Sequence, residues 1–367
     1  MMKKTLLSML LLSLLLLASC AGREEPGKTT DPVSETAEKT TVSETDPVTE
    51  PETEPVTEPV TEPETEPATE PVTEPETEPE TEPETKPVTE PVTEPVTEPP
   101  EDLPVEYAPA PAAVTPGSTV TTHPYAIVPP LAKNPADPLG PITVDMEKYF
   151  SDVILHPTEN AGDDYLDNII FLGDSRTYGV KVYNQWYHFL KNGLDTKQVW
   201  APKNGTITLF DVLERRECWI VYPEDGTEIS LTECVRRKHP QTMFINLGIN
   251  GVGYMSETEF KREYGEIIEM ILTESPETKI ILAGMMPVTA SFPYNPDLGV
   301  CNYSIARGNV MVAQLAQVYG VKYLDLYECY ADETGYLPEK YNGGDGLHLS
   351  GEAYVKMMDY IVTHAYL

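Results

Sequence analysis

Asn168–Gly179 reads N-I-I-F-L-G-D-S-R-T-Y-G, and its reading decides the fold of this chain. Ile169 to Leu172 run without a polar break, as a buried parallel strand does. Gly173-Asp174 then turns the chain, and Ser175 stands where a helix begins. The spacing predicts that this helix carries Val182, Trp186, Phe189 and Leu190 on one face. A serine at such a junction has its hydroxyl exposed above the sheet, near the positive end of a helix dipole. The same tripeptide also reads as an ordinary helix start, so its meaning depends on the rest of the chain.

Downstream, strand and helix signals alternate. A short strand is expected around Gln198–Ala201, followed by Pro202-Lys203-Asn204-Gly205. Trp219 to Ile229 reads as a hairpin turning at Asp225-Gly226. Ser230 to Glu233 and Ser256 to Glu259 are capping boxes, the second opening a helix with Phe260, Tyr264, Ile267, Ile268, Ile271 and Leu272 on one face. Thr242–Leu247, Lys279–Met286 and Val321–Leu326 are further strands, and residues 304–319 a further helix. A last helix gathers Tyr354, Met357, Met358 and Ile361. This alternation predicts a parallel sheet covered on both faces.

Upstream, the chain changes character. Lys3 and Lys4 precede an apolar run from Leu6 to Leu17, a secretory signal too short for a comfortable membrane span. Leu17-Ala18-Ser19-Cys20 matches a bacterial lipobox, which predicts cleavage before Cys20 and lipid on its thiol. From Pro47 to Pro100 the sequence is an array of T-E-P-V and T-E-P-E with one T-E-P-A and a single Lys86. A proline at every fourth residue forbids a regular helix, and there is almost nothing to bury. The tract is read as a disordered, extended stalk that reaches roughly 250 Å at ~3.1 Å per residue. The expected organisation is therefore a signal peptide over 1–20, an acidic linker over 21–102, a proline-rich transition over 103–150, and a catalytic domain over 151–367.

Of the net charge of −35, residues 21–102 carry 26 acidic against 4 basic side chains, and residues 103–367 carry 34 against 19. Phosphate binding needs a basic surface, so nucleic acid is excluded as the natural partner. Four cysteines follow Cys20, at 218, 234, 301 and 329; the count permits two disulfides or four free buried thiols. No close C-x-x-C pair suggests zinc.

Four motifs fall at expected strand ends: Gly173-Asp174-Ser175, Gly205, Gly248-Ile249-Asn250, and Asp345-x-x-His348. In open α/β sheets these ends form the ligand site, so motifs scattered in sequence converge in space. The residue types suit acyl transfer. Ser175 needs a base, which His348 supplies, and Asp345 can curl back to orient the imidazole. The amides of Ser175 and Gly205 and the side chain of Asn250 could hold an oxyanion. Arg176 opposes the helix dipole. Two readings stand for it: a salt bridge to Asp163, Asp164 or Asp174, or contact with an anionic group of the substrate.

With its F-L-G-D-S, L-G-I-N and D-G-L-H-L-S blocks the chain resembles the SGNH, or GDSL, hydrolases over roughly residues 163–367, and especially their extracytoplasmic Gram-positive lipoprotein members. Gly251 stands where an acidic residue is common, and Arg176 where an apolar one is frequent. The resemblance implies a flavodoxin-like three-layer α/β/α sandwich with a five-stranded parallel sheet and no metal or organic cofactor. It also implies Ser175 as nucleophile, His348 and Asp345 as its partners, and Gly205 and Asn250 in the oxyanion hole. The function expected is an esterase removing small acyl groups, above all acetyl, from extracellular carbohydrate or wall glycan, tethered to the membrane through Cys20. An O-acyltransferase, a lysophospholipase or thioesterase, and a non-catalytic glycan-binding surface protein stand as alternatives.

Overall fold

A computed structural model describes residues 105–108, 120–190, 197–209 and 218–367. The signal segment, Cys20 and the Thr-Glu-Pro array lie outside the described residues. The compact unit spans Pro100–Leu367, so the proline-rich transition segment belongs to it. There β1 (Tyr107–Ala108) pairs antiparallel with β2 (Tyr125–Ala126). Ala126 is fully buried, its N–H bonded to Gln317 Oε1 at 2.7 Å and its carbonyl to Gln314 Nε2 at 2.8 Å. The helix α1 (Met146–Phe150) buries Phe150 completely in the same core.

After α2 (Asp163–Leu166) comes the main sheet. Its strands are β3 (Ile169–Gly173), β4 (Val199–Trp200), β7 (Thr242–Asn246), β8 (Lys279–Ala283) and β9 (Lys322–Leu324). All pair in parallel, in the order β4-β3-β7-β8-β9. The hairpin of β5 (Trp219–Val221) and β6 (Glu228–Ser230) forms where Asp225-Gly226 predicted it, with Gly226 at φ +74°.

The strands read as apolar runs because both faces are covered, and period two divides them. Ile170, Leu172, Met243, Ile245, Ile280 and Leu282 enter one core. They meet Leu231 and Val235 of α4 (Leu231–Lys238), Phe260 to Ile271 of α5 (Glu257–Glu274), and Ile305 to Val318 of α6 (Asn302–Tyr319). Ile169, Phe171, Phe244 and Ile281 enter the other, against Val180 of α3 (Ser175–Tyr187), Leu326 of α7 (Leu326–Tyr330) and Tyr354, Met357 and Ile361 of α8 (Gly351–Val362). The three-layer sandwich stands as expected.

Four local readings change. The helix after Ser175 stops at Tyr187, with His188 left-handed at φ 50°. Its buried face is Arg176, Val180 and the fully buried Asn184, whose Oδ1 takes the Leu190 N–H at 2.9 Å; Trp186 is 55% exposed, and Phe189 and Leu190 lie beyond the helix. The strand expected to reach Leu326 ends at Leu324, because Asp325 caps the Glu328 amide and starts a new helix. The strand expected over Lys279–Met286 stops at Ala283. Ser230 caps the Glu233 amide, but Glu233 reaches Arg236 and Arg237 instead of closing a box. None of the four cysteines after Cys20 is in a disulfide, and all are buried.

Candidate active site

The register of β3 on β7 aligns Gly173 with Asn246, so both strands finish at the same edge. That edge lies where the strand order reverses, the crevice in which doubly wound sheets hold ligands. β3 delivers Asp174-Ser175 there, and β7 delivers Leu247–Asn250.

Asp174 is the N-cap, accepting the Arg176 N–H at 3.0 Å, which makes Ser175 the first helical residue. The Ser175 N–H therefore has no acceptor within its own helix. Ser175 is half-buried, and its Oγ lies 2.9 Å from His348 Nε2 across 173 residues of sequence. His348 Nδ1 lies 2.6 Å from Asp345 Oδ2. The other carboxylate oxygen of Asp345 accepts the amides of His348 at 2.8 Å and Leu347 at 2.9 Å. Burial works against the charged form of Asp345. The His348 side chain and the two amides together outweigh it and hold the carboxyl well below the usual range. An anion fixed on Nδ1 leaves Nε2 as the base facing Ser175.

Asn250 is half-buried, with Nδ2 3.4 Å from Thr206 Oγ1, which carries its amide to the Gly205 turn. Gly205 itself needs its φ of +79°, and a Cβ there would stand 3.1 Å from the Tyr178 ring. Its N–H, however, donates to Pro202 O at 2.9 Å. That amide closes the turn in this structure, and Gly205 as an oxyanion donor stays an expectation. The donors at hand are the Ser175 amide and the Asn250 side chain.

Arg176 departs from one of the two readings made for it, the contact with substrate. It is 1% exposed, so no substrate reaches it, and the largest charge acting on it is that of Asp174, one of the three partners expected. Its Nη1 donates to Met286 O at 2.7 Å and its Nη2 to Pro287 O at 3.4 Å. Burial lowers its pKa, while the charges of Asp174, Tyr354, Asp345 and Tyr330 oppose that shift. A guanidinium keeps its proton across this range.

Asp174 carries more than its place in a turn suggested. It is buried at 1% exposure, and its Oδ2 has no hydrogen-bond partner. Burial pushes its carboxyl up to about 6, against the lowering effects of Arg176, His348 and the Ile249 amide. No local signal could have marked it, because the desolvation comes from segments distant in sequence. Among the described residues, no group of three or more His, Cys, Asp or Glu side chains could hold a metal ion.

The sequence profile of the GDSL-like Lipase/Acylhydrolase family matches residues 171–356, about half of the chain. No curated protein matches the chain. Among solved structures, it is similar to a GDSL-like lipase from Bacteroides thetaiotaomicron, at 22% identity over 55% of this chain and 88% of that one (TM-score 0.36). A peptidoglycan O-acetylesterase is similar at 11% identity over 36% of this chain and 38% of its own (TM-score 0.31).

Proposed function

This chain belongs to the GDSL-like lipase/acylhydrolase family of ester-hydrolysing enzymes, and from that premise we propose that it removes small acyl groups, above all acetyl, from extracellular carbohydrate or wall glycan. The observation that carries the chemistry is the unbroken line from Ser175 Oγ through His348 to Asp345, at 2.9 and 2.6 Å. Asp345 holds the tautomer in which His348 Nε2 takes the serine proton as Ser175 Oγ attacks the ester carbonyl. The Ser175 amide and Asn250 Nδ2 hold the oxyanion. Collapse of the intermediate expels the alcohol, which takes the proton from His348. Water, activated by the same histidine, then frees the acid and restores Ser175.

The substrate class is argued from where the chain is built to act. A secretory leader, a lipobox at Cys20 and an extended acidic tract suit a catalytic unit held within the envelope, outside the membrane, where acetylated glycans occur. Assays of the purified protein on 4-nitrophenyl acetate and on O-acetylated wall glycan, each beside Ser175→Ala, test the reading. Release of acetate from glycan by the wild type alone is expected; turnover of the aryl ester without release from any glycan would remove the substrate class and leave the esterase. Cys20→Ser should shift the protein from the detergent to the aqueous phase on partitioning, and a wild type already aqueous would count against the anchor.

A further inference from the structure

Ser175 and His348 come from opposite ends of the fold, yet a hydrogen bond demands that they be placed to within a few tenths of an ångström. Ser175 is fixed by β3 and α3. His348 sits on a loop whose nearest strand, β9, ends more than twenty residues earlier. The segment between β8 and α6 touches both. On one side, the buried guanidinium of Arg176, the residue after the nucleophile, holds the carbonyls of Met286 and Pro287. On the other, Thr289 N–H donates to Gly346 O at 3.0 Å. Gly346 lies so close that a Cβ there would stand 2.6 Å from Thr289 Oγ1 and 3.1 Å from Phe292 Cα.

Side chains continue the link. Thr289 Oγ1 meets Ser291 Oγ at 3.0 Å, and Ser291 donates to Glu339 Oε1 at 2.9 Å. Glu339 Oε2 receives Asn342 Nδ2 at 2.7 Å. Asn342 Oδ1 then accepts the amides of Gly344 and Gly346, both at 2.8 Å, the two residues that flank Asp345. Tyr354 of α8 closes the circuit by donating to the Arg176 carbonyl at 2.7 Å. A fully buried arginine is costly to place, and this one directs Nη1 and Nη2 to main chain of the segment after β8, while its Nε finds no partner.

We infer that Arg176 is a positioning residue: through residues 286–292 it ties the helix carrying Ser175 to the loop carrying Asp345 and His348, and so sets the Ser175–His348 distance. The kinetic part of this inference rests on the esterase reading; the distance itself does not. The geometry assigns no substrate contact to Arg176, so its loss should appear in kcat and not in KM.

The test uses the full chain and 4-nitrophenyl acetate. Wild type is first compared with Ser175→Ala, which decides the esterase reading independently of Arg176. Arg176→Met is then expected to lower kcat about 10²-fold, the scale of an ångström's misplacement, with KM within about threefold. Arg176→Lys, which keeps a buried donor, should recover about tenfold of that loss. Ser291→Ala, at an exposed position that cannot unfold the domain, should lower kcat several-fold at unchanged KM. Combined with Arg176→Lys it should cost less than the product of the two, because they lie in one series of contacts. Crystal structures supply the reading that needs no activity: the Ser175 Oγ–His348 Nε2 separation should open beyond 3.5 Å in Arg176→Met or, if that variant does not fold, in Arg176→Lys. A rise in KM at wild-type kcat would overturn the inference in favour of substrate contact. Folded Arg176→Lys and Ser291→Ala proteins that both keep wild-type kcat, or a separation unchanged from 2.9 Å, would overturn it outright.

Discussion

At the scale of single residues, the site separates groups that handle the reacting atoms from groups that handle charge. Ser175→Ala and His348→Ala should each nearly abolish ester hydrolysis, and the double variant should be little worse, since the pair acts as a unit. Asp345→Asn leaves shape but removes the anion on Nδ1, so kcat should fall by roughly 10²–10⁴. Asn250→Ala should lower kcat by roughly 10²–10³ with little change in KM, because its amide matters once charge develops on the oxygen. A pure KM effect there would remove it from the oxyanion hole. Asp174 yields a stability prediction. Burial pushes its folded pKa up to about 6, above the ordinary 3.8 of an aspartate. Its contribution is therefore fully present below pH 3.8 and lost as pH rises through 6. Asp174→Asn keeps the cap without the charge. Its stability relative to wild type should improve by up to about 3 kcal/mol between pH 4 and pH 7.5. Urea melts at the two pH values measure it, and a difference independent of pH would show that folding does not shift the pKa of this carboxyl.

At the scale of elements, the caps were the most legible part of the sequence, because a cap is a local bond between residues three apart. Ser256 and Glu259 form the complete box, at 3.2 Å one way and 3.1 Å the other, and start α5 where expected. Ser256→Ala should cost about 1 kcal/mol by chemical denaturation, without changing activity, since α5 packs on the core and brings nothing to the site. Helix faces were less legible. Aromatic spacing marked Trp186 for burial, but α3 lies beside α8, and it is Gly179 and Tyr183 that come against Tyr354. The stacking of Tyr183 on Tyr354, with ring centroids 5.2 Å apart, fills the seam that Trp186 was expected to fill. Hydrophobicity names candidates for a core; the crossing of two helices chooses among them.

At the scale of the whole molecule, the proline-rich segment before the sheet divides in two by what it can bury. The Thr-Glu-Pro array offers no apolar side chain larger than valine, so deleting residues 44–100 should leave turnover of a soluble ester within about twofold. A chain starting at 151 should behave differently. It loses Ala126 and Phe150, both fully buried, and leaves the Gln314 and Gln317 side chains without the Ala126 backbone they bond. Phe150→Ala alone should cost about 3–5 kcal/mol, so the 151–367 fragment should melt far below the 100–367 fragment. Equal melting temperatures would show that residues 100–150 contribute no stability.

The sequence by itself determined the layer architecture, the strand-end positions of Ser175 and Asn250, and the capped starts of α3 and α5; Asp345 and His348, expected at a strand end, lie instead on a loop more than twenty residues past β9. Those features follow from periodicity, turn chemistry and caps, which act over a few residues. Tertiary structure alone decided two things: that Asp174 is stripped of water, and that Arg176 faces inward to the carbonyls of Met286 and Pro287. Each depends on where a hydrogen-bond acceptor or a low-dielectric wall from a distant segment arrives. Arg176 and Met286 are 110 residues apart in sequence. A local pattern can say that a cation opposes a helix dipole by a few tenths of a kcal/mol. It cannot say that two carbonyls wait inside the fold to receive it, because those carbonyls take their positions only when the sheet has brought β3 and β8 to the same edge.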